Sequence, residues 1–315
     1  MTQTDYTTLI DEETWAFIRK TGEAYPEDMD GMTFEDMRRC YDAMCDAFSA
    51  PYPPGVTVAD KAMGGVHCRV YEAGPSDVTV MYYHGGGWIL GGLESHDHIC
   101  AEICGSTDYR VVSVDYRLAP EHRHPAAFDD CLAATQATFA RHGGRLVLCG
   151  DSAGANLGAA VAHRLRGTPV MPSGQVLIYG SFSTKIGSEG SYATHAEAPM
   201  LKRSELLVYR VFRYAEGYDP ADDPTAAPLA DTDFSGLPPT FLIAAECDPL
   251  ADDSAIYAAR ISEAGGRAHS EVAPGLVHGF LRARHMSHRA AEAFARITDA
   301  IAALGRGEFP WPETR

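Results

Sequence analysis

The chain has 315 residues, 45% of them hydrophobic, and its 43 acidic and 26 basic side chains give a formal net charge of −17 at pH 7. A chain of this length can bury a sizeable core, and the acidic excess, without a run of Lys or Arg, argues against nucleic-acid binding. No secretory signal or bilayer-spanning apolar run is found, so we expect a cytoplasmic protein without membrane association. The eight cysteines are expected to be reduced.

The first predicted element lies within residues 1–50. Thr33 and Asp36 have the spacing of a helix capping box, and an apolar series at helical spacing begins at Phe34, directly after the first of them. We expect this amphipathic helix to form the N-terminal part of a helical cap over a sheet. The apolar series consists of Phe34, Met37, Tyr41, Met44 and Phe48.

From about residue 62 onward, short β-rich runs alternate with amphipathic segments. This alternation predicts an α/β fold with a largely parallel sheet covered by helices on both faces. Sheets of this kind bind ligands beyond the carboxyl ends of their strands. The runs that predict strands are VTVMYYHG, YRVVSVDY, RLVLCG, GQVLIYG and PPTFLIAAE.

A second segment, residues 183–216, interrupts the alternation. Its first half is polar, and its second half, SELLVYRVFRYAEG, has the periodicity of an amphipathic helix that includes Phe212. We therefore predict an α/β core in residues 51–182 and 217–315, covered by a cap built from residues 1–50 and 183–216. Two peripheral helices that only stabilise the fold are the alternative.

The sequence GDSAG, residues 150–154, places Ser152 between a predicted strand and a predicted helix. This is the context of a nucleophile elbow, in which flanking glycines permit a strained serine whose hydroxyl points into the site. The N-terminus of the following helix stabilises negative charge nearby. A structural turn serine is the alternative.

A serine nucleophile needs a base and a carboxylate that orients the base. Downstream of the serine, Asp248 follows a predicted strand, and His278 lies in a loop before the long C-terminal helix. This order, serine then acid then histidine, is typical of the strand–turn–helix hydrolases. Glu246 is less well placed, and Asp252 and Asp253 are better explained as helix caps. An ordinary surface histidine is the alternative for His278.

The sequence HGGGW, residues 84–88, follows another predicted strand. Three successive glycines leave backbone N–H groups free to approach a substrate oxygen, as an oxyanion hole requires. A flexible turn is one alternative. A phosphate-binding loop is another, although Trp88 stands where its GK[ST] sequence would have to follow.

These motifs occur together in the order and approximate spacing of one known family. HGGGW, DYRLAPEHRHPAAFDD, GDSAG, DPLADD and HGF resemble the hormone-sensitive lipase family of α/β-hydrolases, microbial esterases included. The similarity extends from about residue 60 to the C-terminus. It implies the α/β-hydrolase fold, with Ser152 as nucleophile, Asp248 as orienting acid and His278 as general base.

The resemblance also implies an oxyanion hole and a substrate pocket. Gly86 and Gly87 look like the oxyanion donors, with the backbone N–H of Ala153 as the third. Apolar residues of the glycine loop and of the cap are expected to contact the substrate, although core packing is an equal alternative for the cap residues. These expected substrate contacts are Trp88, Phe34, Met37 and Phe212.

The segment DYRLAPEHRHP is expected to support the site. Asp115, Arg117 and Glu121 are predicted to form a charged network beneath the glycine loop. Two pairs of nearby histidines invite a metal hypothesis, but zinc catalysis needs three converging ligands and an open position, for which the neighbouring residues offer no compelling set. We therefore expect no metal. The histidines are His96, His98, His122 and His124.

The sequence thus predicts a serine carboxylesterase that needs no cofactor and acts on small-molecule esters with short to medium acyl chains. An amidase or deacetylase with the same triad remains open, because leaving-group recognition depends on the pocket. A non-catalytic small-molecule receptor on the hydrolase fold is the alternative of another class, but it would typically lack a triad member. Relatives of the family sometimes form a homodimer through the edge of the sheet, and no residue pattern here specifies one.

Overall fold

A computed structural model describes residues 4–26 and 31–312, and its central feature is an eight-stranded sheet. The strands, in chain order, are β1 (Thr57–Met63), β2 (Val66–Glu72), β3 (Val78–Tyr83), β4 (Arg110–Val114), β5 (Arg145–Asp151), β6 (Gly174–Ile178), β7 (Thr240–Cys247) and β8 (Ala268–Val277).

The strands lie in the order β1-β2-β4-β3-β5-β6-β7-β8 across the sheet. The pairs β1–β2 and β2–β4 are antiparallel, and every later neighbouring pair is parallel. The predicted α/β fold with a mostly parallel sheet is confirmed.

Helices connect the strands and cover both faces of the sheet. None in residues 4–26 or 31–312 is long and apolar enough to cross a membrane. The helices are α1 (Glu12–Glu23), α2 (Phe34–Asp46), α3 (Asp97–Thr107), α4 (Ala126–His142), α5 (Ala153–Leu165), α6 (Ser191–Thr194), α7 (Arg203–Arg213), α8 (Ala251–Glu263) and α9 (His288–Arg306).

Two apolar cores lie on the two faces of the sheet. Because successive side chains of a strand point to opposite faces, β3 contributes Val80 and Tyr82 to one core and Met81 and Tyr83 to the other. The first core also holds apolar side chains of α1, α2, α3 and α9. The second holds those of α4, α5 and α8. The central strands are therefore buried on both sides, which explains their continuous apolar sequences.

The sheet begins earlier than the sequence analysis indicated. Strand-like sequence was expected from about residue 62, whereas β1 starts at Thr57 and pairs with β2 as an antiparallel hairpin. β1 is an edge strand with mostly exposed side chains, so it lacks the apolar run that marks the central strands. β2 alternates partly between buried and exposed residues, as Val66, His67 and Cys68 show.

The parallel strands bring their carboxyl ends to one edge of the sheet. The glycine sequence follows β3, the GDSAG sequence spans the end of β5, and the segments that contain Asp248 and His278 follow β7 and β8. These are the strands whose following loops meet at the ligand-binding edge of a parallel sheet. All four motifs therefore lie at this edge.

The two segments predicted to form the cap contact each other. Thr33 and Asp36 form the expected capping box at the start of α2. The ring of Phe34, at the beginning of α2, packs edge-on against the ring of Phe212 in α7, with a centroid distance of 5.0 Å. The exact division of the chain into cap and core at residues 50, 182 and 216 stays a prediction.

Asp252 and Asp253 have a role that differs from the predicted helix caps. Both lie inside the first turn of α8, and their carboxylates bind the second predicted cap segment. Asp252 accepts a hydrogen bond from the backbone N–H of Ser191 at 2.8 Å. Asp253 is fully buried and accepts from the backbone N–H groups of Phe182 at 2.7 Å and Ser183 at 3.0 Å. These bonds tie the segment to the core beside Asp248.

Helix α5 lies directly against the end of strand β3 at Gly154. A Cβ atom at this position would lie 1.8 Å from the carbonyl oxygen of Tyr83. Because real Cβ atoms do not come so close to backbone, only glycine allows α5 to begin where it does. The contact therefore sets the position of Ser152, which lies two residues earlier.

We predict that Gly154→Ala lowers the free energy of unfolding by about 3 kcal/mol or more, since the methyl group must push α5 away from β3. The change should be measured by urea unfolding of the purified protein.

Gly158→Ala is the matched control, because it lies one turn further along the same helix. Its added Cβ would lie 3.4 Å from Cδ2 of Leu177. Replacing a glycine inside a helix stabilises by roughly 0.5–1 kcal/mol where the site has room. Equal stability of the two variants would contradict the importance of the Gly154 contact.

Candidate active site

Ser152 lies on the sharp turn between β5 and α5. Its backbone has φ 54° and ψ −115°, a conformation that side-chain-bearing residues rarely adopt. The strained backbone is held by a hydrogen bond from the Ser152 N–H to the carbonyl oxygen of Ile178 at 2.8 Å. The serine is partly exposed, while Ala153 next to it is buried. The predicted elbow geometry is therefore present.

His278 joins Ser152 to Asp248. Its Nε2 lies 2.9 Å from Oγ of Ser152, and its Nδ1 lies 2.6 Å from Oδ2 of Asp248. An ionised carboxylate only accepts hydrogen bonds, so Nδ1 carries the proton and Nε2 is free to accept the serine proton. The structure thus brings the three residues together in the arrangement of a nucleophile, a base and an orienting acid.

The acid and the base are themselves held in place. Asp248 is fully buried, and its Oδ1 accepts a hydrogen bond from the backbone N–H of Leu250 at 2.9 Å. The ring of Tyr179 packs against the ring of His278 with a centroid distance of 4.8 Å. Glu246, the weaker candidate, accepts from the backbone N–H of Gly275 at 2.6 Å. Its contact is to the backbone rather than to the imidazole.

The backbone N–H groups of Gly86, Gly87 and Ala153 point to an anion-binding role. Within the described residues, none of the three makes a hydrogen bond. Gly86 and Gly87 both have positive φ, at 120° and 62°. Ala153 is the first residue of α5, where unpaired N–H groups and the helix dipole favour negative charge.

Asp151 holds the glycine loop in place. This buried residue directly precedes Ser152, and its Oδ1 accepts hydrogen bonds from the backbone N–H of Gly85 at 3.0 Å and the hydroxyl of Tyr82 at 2.8 Å. The same carboxylate thus links the nucleophile turn to the loop of the expected oxyanion donors. Sequence reasoning missed Asp151, although its position between Gly150 and Ser152 was a signal.

The electrostatic surroundings keep Asp151 ionised. Burial would raise the pKa of its carboxyl group, but the imidazole of His96, with Nε2 at 3.3 Å from Oδ1, and the hydroxyl of Tyr82 outweigh burial and hold the pKa below its usual range. Burial lowers the pKa of His84, the first residue of the glycine loop, to about 3, so this imidazole is neutral at physiological pH.

The charged network predicted in DYRLAPEHRHP is not found among the residues described. Asp115 contacts His67, and Arg117 makes a two-pronged ion pair with Asp130. Glu121, the third member of the predicted network, forms an ion pair with Arg38 of α2 at 2.7 Å.

The three charged residues therefore contact three different neighbours. Tyr116, between the first two of them, contacts the glycine loop instead. Its hydroxyl donates to the carbonyl oxygen of His84 at 2.7 Å, and the two rings stack with centroids 4.1 Å apart.

The expected substrate contacts occupy two different environments. Trp88 is only 8% exposed, and the guanidinium of Arg213 covers its ring. Phe34, Met37 and Phe212 are half-buried, and the rings of Phe34 and Phe212 meet between α2 and α7. The contact of all four with a substrate stays a prediction, and the burial of Trp88 favours a supporting role for its ring.

Of the four histidines that were weighed as metal ligands, His122 is exposed and the other three face different partners. His96 lies beside Asp151, the ring of His98 packs on the ring of Tyr52, and Nε2 of His124 lies 3.2 Å from Asp223. Within residues 4–26 and 31–312, no three His, Cys, Asp or Glu side chains are grouped to hold a metal ion.

Comparison with known proteins identifies the family. The sequence profile described as alpha/beta hydrolase fold matches residues 80–282. The chain therefore belongs to the α/β-hydrolase family. Its predicted fold and its resemblance to the hormone-sensitive lipase branch are both confirmed.

Individual relatives support this placement. The chain is 40% identical over 240 residues to the carboxylesterase NlhH of Mycobacterium tuberculosis. The match covers 72% of this chain and 73% of that protein. It is 32% identical over 233 residues to the ethyl acetate hydrolase of Pseudomonas putida, covering 71% and 72% of the two chains. A solved esterase from the bacterial hormone-sensitive lipase family matches with a TM-score of 0.83 and 27% identity, covering 93% and 98% of the chains.

We predict that Asp151→Ala lowers kcat for p-nitrophenyl acetate roughly 10- to 100-fold, because the N–H of Gly85 loses its acceptor and the oxyanion donors next to it are displaced. Asp151→Asn keeps one acceptor oxygen, so its loss should be smaller. Steady-state kinetics on the purified variants measure both.

Asp115→Asn is the control for this prediction. Its carboxylate is partly exposed and contacts His67 rather than the glycine loop. We expect its kcat to equal that of the wild type. If Asp151→Ala were as active as this control, the loop would not depend on the Asp151 carboxylate.

Proposed function

We propose that this chain is a serine carboxylesterase that hydrolyses small-molecule esters through an acyl-enzyme intermediate. The observation that carries the proposal is the continuous pair of contacts from Asp248 through His278 to Ser152 at the carboxyl edge of the sheet. The predicted class, a carboxylic ester hydrolase, is confirmed by relatives of that activity at 40% and 32% identity.

The first half of the reaction forms the acyl-enzyme. Nε2 of His278 takes the proton from the hydroxyl of Ser152 while Oγ attacks the ester carbonyl carbon. Asp248 stabilises the imidazolium that forms, without itself taking the proton. His278 then gives the proton to the leaving alcohol as the C–O bond of the ester breaks.

The tetrahedral intermediate carries a negative charge on the former carbonyl oxygen. We assign its stabilisation to the backbone N–H groups of Gly86, Gly87 and Ala153, whose donors have no other partner within the described chain. Losing one such donor typically costs about 2.7–4 kcal/mol of transition-state stabilisation. In the second half of the reaction, His278 activates a water molecule that attacks the acyl carbon, and Ser152 is released.

The size of the acyl group is proposed to be short to medium. The Pseudomonas putida relative is an ethyl acetate hydrolase, which is consistent with a short acyl chain. Phe34, Met37 and Phe212 are half-buried, and the ring contact of Phe34 with Phe212 joins α2 to α7; we assign these three side chains to the wall that limits the length of an acyl chain.

A cytoplasmic location is part of the proposal. Its support is that all eight cysteines are free and seven of them are buried, as expected of a protein in a reducing compartment.

We predict that Ser152→Ala lowers kcat for p-nitrophenyl esters by roughly 10³-fold or more, since no other group takes the place of the nucleophile. Esters of increasing acyl length should be tested beside an acyl anilide, with the wild type and the variant in the same assay. Turnover that peaks at a short chain and is lost in the variant is the expected result.

Two other outcomes would change the assignment. Preferred hydrolysis of the anilide would identify the amidase or deacetylase alternative. A wild-type protein without any serine-dependent turnover would contradict the enzyme and favour the receptor.

We also predict that Met37→Trp shifts the optimum toward shorter acyl chains, because a larger ring at this position of the proposed acyl pocket leaves less space for the chain. The measurement is the ratio of kcat/KM for p-nitrophenyl acetate and octanoate. Val272→Trp, which enlarges a residue that is 51% exposed on β8, is the control. An unchanged ratio in Met37→Trp would remove this residue from the acyl pocket.

A further inference from the structure

One face of helix α7 covers two consecutive residues of the glycine loop. Tyr209 and Arg213 lie one helical turn apart and therefore share a face. A Cβ atom on Gly87 would lie 2.7 Å from Cδ1 of Tyr209, so the tyrosine ring rests directly against this glycine. The guanidinium carbon of Arg213 lies 3.6 Å from the centroid of the Trp88 ring.

Arg213 is a buried cation without an acidic partner in the described part of the chain. It is 4% exposed, and its Nη2 donates to Oδ1 of Asn156 at 3.0 Å. No ion pair links it to a described Asp or Glu side chain. The guanidinium also lies 5.0 Å from the ring centroid of Tyr214. A charge taken out of water is costly unless its contacts compensate, so the stack on Trp88 and the Asn156 bond are its main compensation.

The ring of Trp88 is buried at the second apolar core, and Arg213 covers one of its faces. Its backbone has φ 63°, and within the described residues its indole N–H has no acceptor. A guanidinium over the face of an indole is the favoured cation–π arrangement, and it is stronger where water is excluded. Arg213 therefore helps to fix the orientation of the ring, and the backbone of Trp88 directly continues that of Gly87.

The space beside Arg213 argues against a substrate-binding role. The cavity that the guanidinium lines with Trp88, His124 and Leu157 has a volume of about 10 Å³. A cavity of this size holds about one water molecule. An anionic group of a substrate does not fit there.

We propose that Arg213 is a positioning residue that fixes the oxyanion loop from the cap side, through Trp88. This inference rests on the proposed esterase function. Asp151 holds the loop from below at Gly85, while Arg213 and Tyr209 hold it from above at Trp88 and Gly87. Helix α7 therefore acts on the chemical step as well as on the shape of the substrate pocket.

The test compares Arg213→Met with the wild type. Methionine keeps an unbranched stem but removes the planar charge, so the loop should lose its outer support. We expect kcat for p-nitrophenyl acetate to fall roughly 10- to 100-fold. This decrease is no larger than the one expected from removing a single oxyanion donor. KM should stay within about twofold, because the oxyanion donors act on the transition state. The rate of phosphorylation by diethyl p-nitrophenyl phosphate should fall in parallel, since its phosphoryl oxygen uses the same donors.

Arg210→Met is the matched control. Arg210 lies on the same helix, and its Nη1 donates to the carbonyl oxygen of Thr184 rather than contacting the glycine loop. This variant should keep the kcat and the phosphorylation rate of the wild type. A rise in KM at unchanged kcat in Arg213→Met would overturn the proposal, as would wild-type values of both constants.

Arg213→Lys keeps the proposal testable if Arg213→Met does not fold. Lysine keeps the charge but loses the planar stack and the fork of donors, so kcat should lie between those of the wild type and Arg213→Met. The fluorescence of Trp88 should change with the loss of the stack. A wild-type kcat in the Arg213→Lys variant would overturn the proposal.

The wild type and Ser152→Ala distinguish a failure of the proposed esterase function from a failure of the proposed role of Arg213. If the wild type shows no Ser152-dependent phosphorylation or turnover, the proposed function fails. If that activity is present and Arg213→Met retains it in full, only the role of Arg213 fails.

Discussion

The site depends on the close approach of α5 to β3. With glycine at position 154, the helix begins directly over the carbonyl oxygen of Tyr83, the last residue of β3. The residue after Tyr83 opens the glycine loop, so this one contact sets the distance between the serine turn and the loop. The carbonyl of Ile178 on the neighbouring strand then holds the N–H of Ser152. The strained serine backbone is thus supported by two adjacent parallel strands, one on each side of β5.

Two buried charges of opposite sign act on the glycine loop from different sides. Asp151 is satisfied by several donors, among them a backbone N–H of the loop itself, which makes its burial compatible with a stable charge. Arg213 has one neutral oxygen acceptor and two aromatic rings, a weaker set of partners. The inner support of the loop therefore belongs to the core of the fold, whereas the outer support belongs to a helix that packs over it.

The sequence allowed the prediction of those features that are encoded locally. The central strands are continuous apolar runs, and each motif contains the residues that its own turn requires. The placement of Ser152, Asp248 and His278 at one edge therefore followed from their positions after predicted strands of a parallel sheet. β1 was missed because an exposed edge strand has no such run. The network around Asp115 was predicted wrongly, since its three members pair with residues outside their own segment that no local pattern reveals. Tyr209 and Arg213 were missed as loop contacts for the same reason.

The anchoring of the segment after β6 has a practical consequence for changing substrate range. The carboxylate of Asp253 accepts bonds from Phe182, Ser183 and Tyr192, and Asp253 lies only five residues after Asp248. A transplant of residues 183–216 from another enzyme would leave this buried carboxylate without some of its donors unless the graft supplies equivalent groups. Chimeras that start the graft before Phe182 and keep a backbone N–H at 182, a serine at 183 and a tyrosine at 192 would leave the Asp253 carboxylate satisfied and the neighbouring acid loop undisturbed.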